Sequence, residues 1–379
     1  MFKRLIESDI NRYLKNGGHK ILFIWGPRRS GKTVLLNKLA KQLKVKRYNF
    51  DWQSDREKFV PRRETLSALV KTNSVILIDE VQNYPEATVA IKLLHDEFKV
   101  KVIATGSSEL RQKSKQFDSL AGRYDEIYCL PLSLKEIWLN QKPAADETDN
   151  FKNNLAEKMQ IFGAYPEIYT QTNLPEAEKI DRLQQIFDAY VLKDVVDIYA
   201  LKNQKLAKDI LTKIALQLGS EVSVREIAGS LGASPSTVAD YIEIFIKNYV
   251  LIPLPSFKTN LRRAVSENRK LYFYDLGIRN ILIRDFRETN LRQDSDGVWE
   301  NLTVAELEKR RRLEHLHYNF YFYREYGGRE IDLVIEDYQK NYTILEIKTN
   351  RGGVKNIFPL PSRKITINRQ NYYDQLMKL

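Results

Sequence analysis

The chain has 379 residues, of which 43% are hydrophobic and 29% charged, a composition typical of a folded protein of two to three domains. Its single cysteine, Cys129, excludes an intrachain disulfide and a cysteine-based zinc site. No apolar run reaches the ~20 residues that cross a bilayer, and the N-terminus lacks a signal-peptide core. We therefore expect a cytoplasmic protein with no membrane partner.

The net charge of +12 is concentrated at the two ends of the chain. Residues 1–50 carry +11 and residues 343–379 carry +5, so the rest is net acidic. This excess of positive charge is compatible with a polyanionic partner. The basic residues of a phosphate-binding site or of a solvated helix face would give the same excess.

A phosphate-binding motif follows the first predicted strand. The run ILFIW at 21–25 predicts a buried parallel strand, and VLLNKLAKQL from residue 34 predicts a helix. Between them GPRRSGKT matches G-x-x-x-x-G-K-[ST], the P-loop. We expect Lys32 to act on the β- and γ-phosphates and the Thr33 hydroxyl to bind Mg²⁺. The predicted nucleotide-binding residues here are Gly26, Pro27, Arg28, Arg29, Ser30, Gly31, Lys32, Thr33 and Val34.

An acidic pair ends another apolar strand about 45 residues later. Asp79 is predicted to hold Mg²⁺ through water, and Glu80 to be the general base for an attacking water. Ser107 follows a further strand, where a γ-phosphate sensor would lie. Strands that alternate with helices predict a parallel α/β sheet with its ligand at the carboxyl ends of the strands.

Residues 26–33, 75–80 and 104–108, together with LAGR at 120–123, resemble AAA-type P-loop ATPases. The resemblance implies ATP and Mg²⁺ as ligands and Arg123 as an arginine finger or sensor. A surface arginine that caps or forms a salt bridge is the alternative for Arg123. A finger acting in trans would imply an oligomer.

The middle of the chain is predicted to be helical. Ser234 as N-cap and Pro235 at the first helical position open a helix over 235–247, within a pattern typical of a helix-turn-helix. LIPLPSF and KLYFYD then predict wing strands. The helix carries Asp240 and Glu243 against one lysine, which favours phosphate contact by the wing over base reading. The basic residues of the wing segment are Lys258, Arg262, Arg263, Arg269 and Lys270. A spacer or protein-interface role remains the alternative.

The C-terminal segment contains a D…ExK pattern. GREIDLVI and YTILEIK predict two strands of a hairpin, which would place Asp332 beside Glu346 and Lys348. A predicted helix upstream carries Glu300. Asp332, Glu346 and Glu300 would bind Mg²⁺ or Mn²⁺, and Lys348 would orient or activate water, as in PD-(D/E)xK nucleases. A salt-bridged hairpin is the alternative.

Nearly the whole chain resembles a group of prokaryotic AAA-type ATP-binding proteins with a C-terminal domain of unknown function, which combines a winged helix and a restriction-endonuclease-like module. Further matching stretches are AYPE at 164–167, KLYFYDLGIRN at 270–280 and Glu300-Asn301. The family generally continues after the lysine with a helix and another strand. The Gly- and Pro-broken tail here predicts that the closing helix is missing or replaced.

The sequence thus predicts four parts: an AAA-type core at 1–140, a helical lid or linker at 141–204, a winged helix-turn-helix at 205–280 and a nuclease-like α/β module at 281–379. The leading hypothesis is an ATPase whose nucleotide state gates a nucleic-acid-associated C-terminal module, with Mg²⁺-dependent cleavage undecided. A non-nucleolytic switch that binds DNA or protein is the main alternative. A protein that controls a partner without touching DNA is a third.

Overall fold

The computed structural model describes residues 2–107, 117–171, 173–194, 203–258, 269–325, 327–349, 353 and 357–379. They form two compact units, Lys3–Leu130 and Pro131–Leu379, called the N-terminal and C-terminal units below. Within these described ranges, no helix is long and apolar enough to cross a membrane.

A parallel five-stranded sheet organises the N-terminal unit. Its order is β2-β3-β4-β1-β5, and every neighbouring pair is parallel. The first and third strands are buried along their whole length, as expected where helices cover both faces of a sheet. The strands are β1 (Ile21–Trp25), β2 (Arg47–Asn49), β3 (Val75–Asp79), β4 (Lys101–Gly106) and β5 (Tyr124–Tyr128).

The predicted alternation of strands and helices in this unit is confirmed. The fifth strand pairs with β1 over Tyr124 to Tyr128. The helices of the unit are α1 (Glu7–Lys15), α2 (Lys32–Leu43), α3 (Gln53–Arg56), α4 (Arg63–Thr72) and α5 (Ala87–Asp96).

One hydrophobic core joins most of the helices in the first part of the C-terminal unit. The buried side chains of this core range from Ile161 to Leu282. The core therefore includes residues of both the predicted lid, which was expected to end at 204, and the segment that follows it. Its helices are α6 (Leu134–Gln141), α7 (Thr148–Phe162), α8 (Pro166–Tyr169), α9 (Glu176–Ile186), α10 (Gln204–Ala215), α11 (Val224–Leu231), α12 (Pro235–Lys247) and α13 (Leu276–Ile283).

Helix α13 is fastened to the end of α7 by buried polar contacts. The Asp275 carboxylate caps α13 by accepting from the Ile278 amide and also accepts from the Ala164 amide at 2.7 Å. Asn280 donates to the carbonyls of Gln160 and Ile161, each at 2.8 Å. The stretches at 164–167 and 270–280, which are far apart in sequence, therefore hold one another in place.

A small antiparallel sheet packs with α10, α11 and α12. Its order is β6-β8-β7, and its strands are β6 (Glu221–Val222), β7 (Leu251–Pro255) and β8 (Arg269–Phe273). Ser234 caps α12 by accepting from the Thr237 amide at 3.1 Å, and Pro235 is the first helical residue, as predicted. The predicted wing residues Arg262 and Arg263 lie outside the described residues.

A four-stranded mixed sheet and two helices complete the chain. Strand β11 pairs antiparallel with β10 and parallel with β12. The tail after Lys348 thus does supply another strand, and a short helix follows it. The elements are α14 (Ser295–Leu313), β9 (Tyr318–Arg324), β10 (Glu330–Asp337), β11 (Tyr342–Ile347), β12 (Ser362–Ile367) and α15 (Tyr372–Lys378). In the part of 349–361 that is described, no helix occurs.

The close approach of α13 to α7 requires glycine at position 277. A Cβ there would lie 2.4 Å from the Phe162 carbonyl oxygen and 2.9 Å from a Leu183 methyl carbon. We expect Gly277→Ala to lower the free energy of unfolding by about 1–3 kcal/mol, the usual cost of overpacking. Gly229→Ala is the matched control, because a Cβ at that position in α11 meets nothing within 4 Å. Equal urea stability of the two variants would contradict this packing argument.

Candidate nucleotide site and C-terminal carboxylate cluster

The P-loop connects β1 to α2 at the carboxyl edge of the parallel sheet. Two of its residues adopt positive φ, Arg29 at 59° and Gly31 at 102°, so the chain turns back to present amides at the start of α2. Glycine is required at position 26 because the backbone of Cys129 lies close to it: a Cβ there would lie 2.0 Å from the Cys129 carbonyl oxygen. The predicted cradle 26–34 is therefore formed as one continuous loop and helix start.

Lys32 is buried inside this loop. Its Nζ donates to the carbonyls of Gly26 at 2.9 Å and Pro27 at 2.8 Å. Burial lowers the pKa of Lys32, and the carboxylate of Glu80 opposes that change. A buried ammonium held mainly by loop carbonyls is suited to an anion brought into the cradle.

Two buried hydroxyls at this edge have no hydrogen-bond partner within the part of the chain that the structure describes. They are Ser30 Oγ in the P-loop and Ser107 Oγ, which follows β4. Thr33, the predicted Mg²⁺ ligand, is the second residue of α2 and is partly accessible. The unpartnered hydroxyls and the buried lysine fit a phosphate group with an accompanying hard cation.

Asp79 ends β3 with both carboxylate oxygens engaged. One accepts a hydrogen bond from Thr105 Oγ1 of β4, and the other pairs with Arg47 of β2. The parallel order β2-β3-β4 brings these three side chains together. Because Thr105 and Arg47 belong to neighbouring strands, Asp79 is fixed in position at the strand ends.

Glu80 is the next residue and has a positive φ of 54°. Its carboxylate accepts a hydrogen bond from Gln82 Nε2, and Gln82 Oε1 accepts from the Ser107 amide at 3.1 Å. The predicted base and the predicted sensor are thus connected through one side chain. Sequence reasoning missed Gln82 and Arg47, because neither belongs to a spaced motif.

Arg4 supports the P-loop from the segment before α1. Its guanidinium donates to the carbonyls of Ser30 at 2.7 Å and Leu130 at 2.6 Å. The side chain is buried, so both bonds are shielded from water. Sequence reasoning also missed Arg4, which lies 26 residues before the carbonyl it holds.

Arg123 lies at the other end of the sheet from the P-loop. It precedes β5, and its carbonyl accepts from the amide of Ile21, the first residue of β1. Its guanidinium pairs with Asp96 at 2.8 Å and, together with His95, lowers the pKa of that carboxyl to about 2. Arg123 is therefore not among the side chains gathered at this unit's own cradle.

The C-terminal unit brings the D…ExK residues together at the end of the β10–β11 hairpin. Lys348 Nζ lies 2.9 Å from Glu346 Oε1 and 4.0 Å from Asp332 Oδ2. Asp332 also accepts from the Ile347 amide at 2.7 Å. Glu346 is fully buried, whereas Lys348 remains partly exposed. The predicted convergence of these three residues is present.

The carboxylate of Glu300, on α14, accepts hydrogen bonds from two other side chains. Its Oε1 accepts from Lys270 Nζ at 3.0 Å and from the Tyr272 hydroxyl at 2.5 Å. Lys270 is buried and also pairs with Glu330. Although burial lowers the pKa of Lys270, Glu300 and Glu330 raise it overall. The expectation that Lys270 offers a basic wing contact is therefore wrong, since its charge is enclosed.

Burial is the main reason that the pKa of Asp332 rises, to about 7, with Glu300 and Glu346 acting in the same direction. The described part of the chain contains no group of three or more His, Cys, Asp or Glu side chains arranged to hold a metal ion. The predicted set of Glu300, Asp332 and Glu346 is thus electrostatically coupled without forming such a group.

Three segments of the chain match known families. Residues 18–138 match an AAA domain. Residues 153–290 match a domain of unknown function (DUF8612), and residues 295–358 match another (DUF4143). In chain order, the matches are thus to an AAA domain and then to two domains of unknown function.

Similar proteins extend over more of the chain. An uncharacterized protein of Haemophilus influenzae is 25% identical over 277 residues, covering 68% of each chain. One from Methanocaldococcus jannaschii is 26% identical over 352 residues, covering 88% of this chain and 75% of its own. Among solved structures, the RuvB Holliday junction branch migration motor of Thermotoga maritima is 17% identical and covers 66% of this chain and 87% of its own. Its TM-score of 0.29 is too low to support an argument.

The raised pKa of Asp332 has a consequence for stability. A carboxyl whose folded pKa lies above its unfolded value stabilises the fold below about pH 4, and this contribution is lost as the pH rises through about 7. We expect Asp332→Asn to become more stable than wild type from pH 5 to pH 8, by up to roughly 4 kcal/mol.

Urea unfolding at several pH values measures this difference. Asp337→Asn is the control, because hydrogen bonds from Asn341 lower the pKa of Asp337 and its removal brings no gain at high pH. The raised pKa of Asp332 would be refuted if the free energies of unfolding of wild type and Asp332→Asn differed by the same amount at every pH between 5 and 8.

Proposed function

We propose that this protein binds ATP with Mg²⁺ and hydrolyses it, and that its nucleotide state gates a nucleic-acid-associated C-terminal module. The observation that carries the proposal is the gathering of Lys32, Asp79 and Glu80 at one edge of the parallel sheet, beside the unpartnered hydroxyls of Ser30 and Ser107. Parallel α/β sheets bind their ligands at this edge.

Each residue has a role that follows from its chemistry. Lys32 neutralises charge on the β- and γ-phosphates, and the P-loop amides bind phosphate oxygens. Thr33 and Asp79 hold Mg²⁺, which offsets phosphate charge when bound. Glu80 accepts a proton from the attacking water. Gln82 joins Glu80 to Ser107, so orientation of the base depends on the sensor position.

Arg123 is proposed to act on a neighbouring copy. Its distance from its own P-loop along β1 excludes a part in the same cradle, but its partly exposed guanidinium can face another subunit. In that case the ATPase would work as an oligomer.

For residues 203–273 we propose a winged helix. The supporting observations are the chain order of α10, β6, α11, α12, β7 and β8 and the antiparallel sheet β6-β8-β7. The exposed start of α12 has no basic residue, and Arg269 pairs with Glu243 at 2.7 Å. Reading of bases by this helix start is therefore disfavoured, and Lys258 is the basic wing residue, of those described, that contact with phosphates would use.

Divalent-cation-dependent cleavage by the C-terminal unit is a second candidate. It is favoured by the position of Lys348 between Glu346 and Asp332 and by the sheet order β12-β11-β10-β9 with an upstream α14. Because Glu300 is held by Lys270 and Tyr272, the three carboxylates of the described chain do not form a complete set of metal ligands.

ATP turnover tests the first proposal. Glu80→Gln is expected to lower kcat by on the order of 10²–10⁴-fold while ATP binding persists, because only the base is lost. Lys32→Ala should lose hydrolysis through loss of phosphate contact. Glu86→Gln is the control, since Glu86 is an exposed carboxylate of the same unit. Undiminished phosphate release in both Lys32→Ala and Glu80→Gln would overturn the assignment.

Plasmid nicking tests the second candidate. With Mg²⁺ or Mn²⁺, the cleavage hypothesis predicts nicking that falls at least about 100-fold in Asp332→Ala and in Lys348→Ala. Lys340→Ala is the control, because Lys340 is a lysine of the same hairpin that pairs with Glu336 instead. Absence of nicking by wild type, or nicking that survives both substitutions, rejects this candidate.

A further inference from the structure

A polar cavity of about 790 Å³ lies within the C-terminal unit. Its walls come from α7, the beginning of α14, the segment just after β11 and the turn after β12, so four separate parts of the chain build it. The volume is within the range of small-molecule sites. Gln160, Trp299 and Arg369 line it, together with Asn154, Glu157 and Thr349.

Three side chains that line the cavity each have a polar atom without a hydrogen-bond partner among the described residues. They are Trp299 Nε1, Gln160 Oε1 and Arg369 Nε. Trp299 and Gln160 are each only 1% exposed. An unsatisfied buried group costs about 1–3 kcal/mol, so three beside one cavity indicate a place where a ligand supplies the missing partners.

The orientation of Gln160 is fixed by its surroundings. Its Nε2 donates to the Ala156 carbonyl at 3.1 Å. Exchanging the amide nitrogen and oxygen would place two acceptors against each other, so Oε1 is the atom left without a partner. Trp299 packs edge-on against Tyr372 with ring centroids 5.4 Å apart, and its Nε1 can only donate. Two of the residues that line the cavity therefore carry a fixed acceptor and a fixed donor.

Arg369 gives the cavity a positive charge. Its one hydrogen bond within the described chain runs from Nη2 to Thr289 Oγ1 at 2.9 Å. Among the described lining residues the one carboxylate is Glu157, which accepts from the amide and the hydroxyl of Thr289, at 2.8 and 2.7 Å. The hydrogen bonds of Glu157 therefore go to Thr289 and not to Arg369. The Arg369 guanidinium can then bind an anionic group of a ligand.

We propose that this cavity binds a nucleotide. Arg369 would bind the phosphate, while Trp299 Nε1 and Gln160 Oε1 would bind an acceptor and a donor on the edge of the base. Arginine with amide side chains is the combination that proteins use for phosphates and base edges. Apart from Ala156 and Trp299, the lining is polar, which disfavours an apolar ligand.

The same chemistry is available in a free nucleotide and in one nucleotide of a strand. Thr349, at the cavity wall, is adjacent in sequence to Lys348 of the D…ExK cluster. A strand end in the cavity would thus lie beside that cluster. The site is separate from the P-loop and does not depend on ATP hydrolysis.

The test uses the full chain carrying Lys32→Ala, which weakens phosphate binding at the P-loop. Calorimetry measures binding of AMP, GMP, CMP, UMP, a 5′-phosphorylated single-stranded oligonucleotide and inorganic phosphate. We expect at least one nucleotide or the oligonucleotide to bind with a Kd below about 1 mM. Tighter binding of a mononucleotide identifies a free nucleotide as the ligand, and tighter binding of the oligonucleotide identifies a strand.

Arg369→Gln and Trp299→Phe should each weaken that binding by about tenfold or more, because each removes a buried donor. Arg363→Gln and Trp138→Phe are the matched controls, since Arg363 is exposed on the same strand region and neither residue lines the cavity. Thermal unfolding checks that all variants fold. If Trp299→Phe does not fold, Gln160→Leu replaces it and should also weaken binding, because it removes the acceptor proposed for the base edge.

Three results would overturn the proposal: no binding of any probe, binding that is unchanged in the cavity variants, or inorganic phosphate binding as tightly as the nucleotides. Because all of these measurements are made without a functional P-loop lysine, they stand whether or not the wild-type chain hydrolyses ATP.

Discussion

Charged groups that are removed from water must find partners, and in this protein many of those partners are backbone groups from distant segments. Arg4 holds the carbonyls of Ser30 and Leu130, and Lys32 holds carbonyls of its own loop. In the C-terminal unit, Arg279 donates to the Ala215 carbonyl at 2.7 Å. Each contact costs stability if it is broken, so each fixes the position of a loop or a helix end.

The need of buried charges for partners also distinguishes the carboxylate site at Asp79 from the one at Asp332. Both carboxylate oxygens of Asp79 have partners, Thr105 and Arg47. Asp332 instead shares a buried region with other carboxylates, and its charged form is disfavoured near neutral pH. A cation at the second site would therefore have to displace protons as well as the pairing of Lys348 with Glu346.

Much of the architecture could be predicted from local pattern. The strand–loop–helix around Lys32 and the hairpin that joins Asp332 to Glu346 follow from apolar runs and turn residues, and the structure has both. The start of α12 followed from the capping preference of serine. These features depend on residues that are close in sequence.

Other features depend on contacts that no local pattern encodes. Lys270 looked like a basic wing residue, yet α14 brings Glu300 against it and encloses its charge. Arg123 fits a family pattern, but only the strand order places it at the amino end of the sheet. The polar cavity around Trp299 combines four segments, none of which carries a motif.

The guanidinium of Arg4 has a practical meaning for dissecting this protein. The matched AAA segment begins at residue 18, so a fragment cut to that boundary would retain every P-loop residue and lose Arg4. The carbonyls of Ser30 and Leu130 would then face a void left by a buried charge. Weak nucleotide binding by such a fragment would reflect the loss of the Arg4 contacts rather than a defect of the P-loop motif. The minimal nucleotide-binding domain should therefore include the segment that contains Arg4.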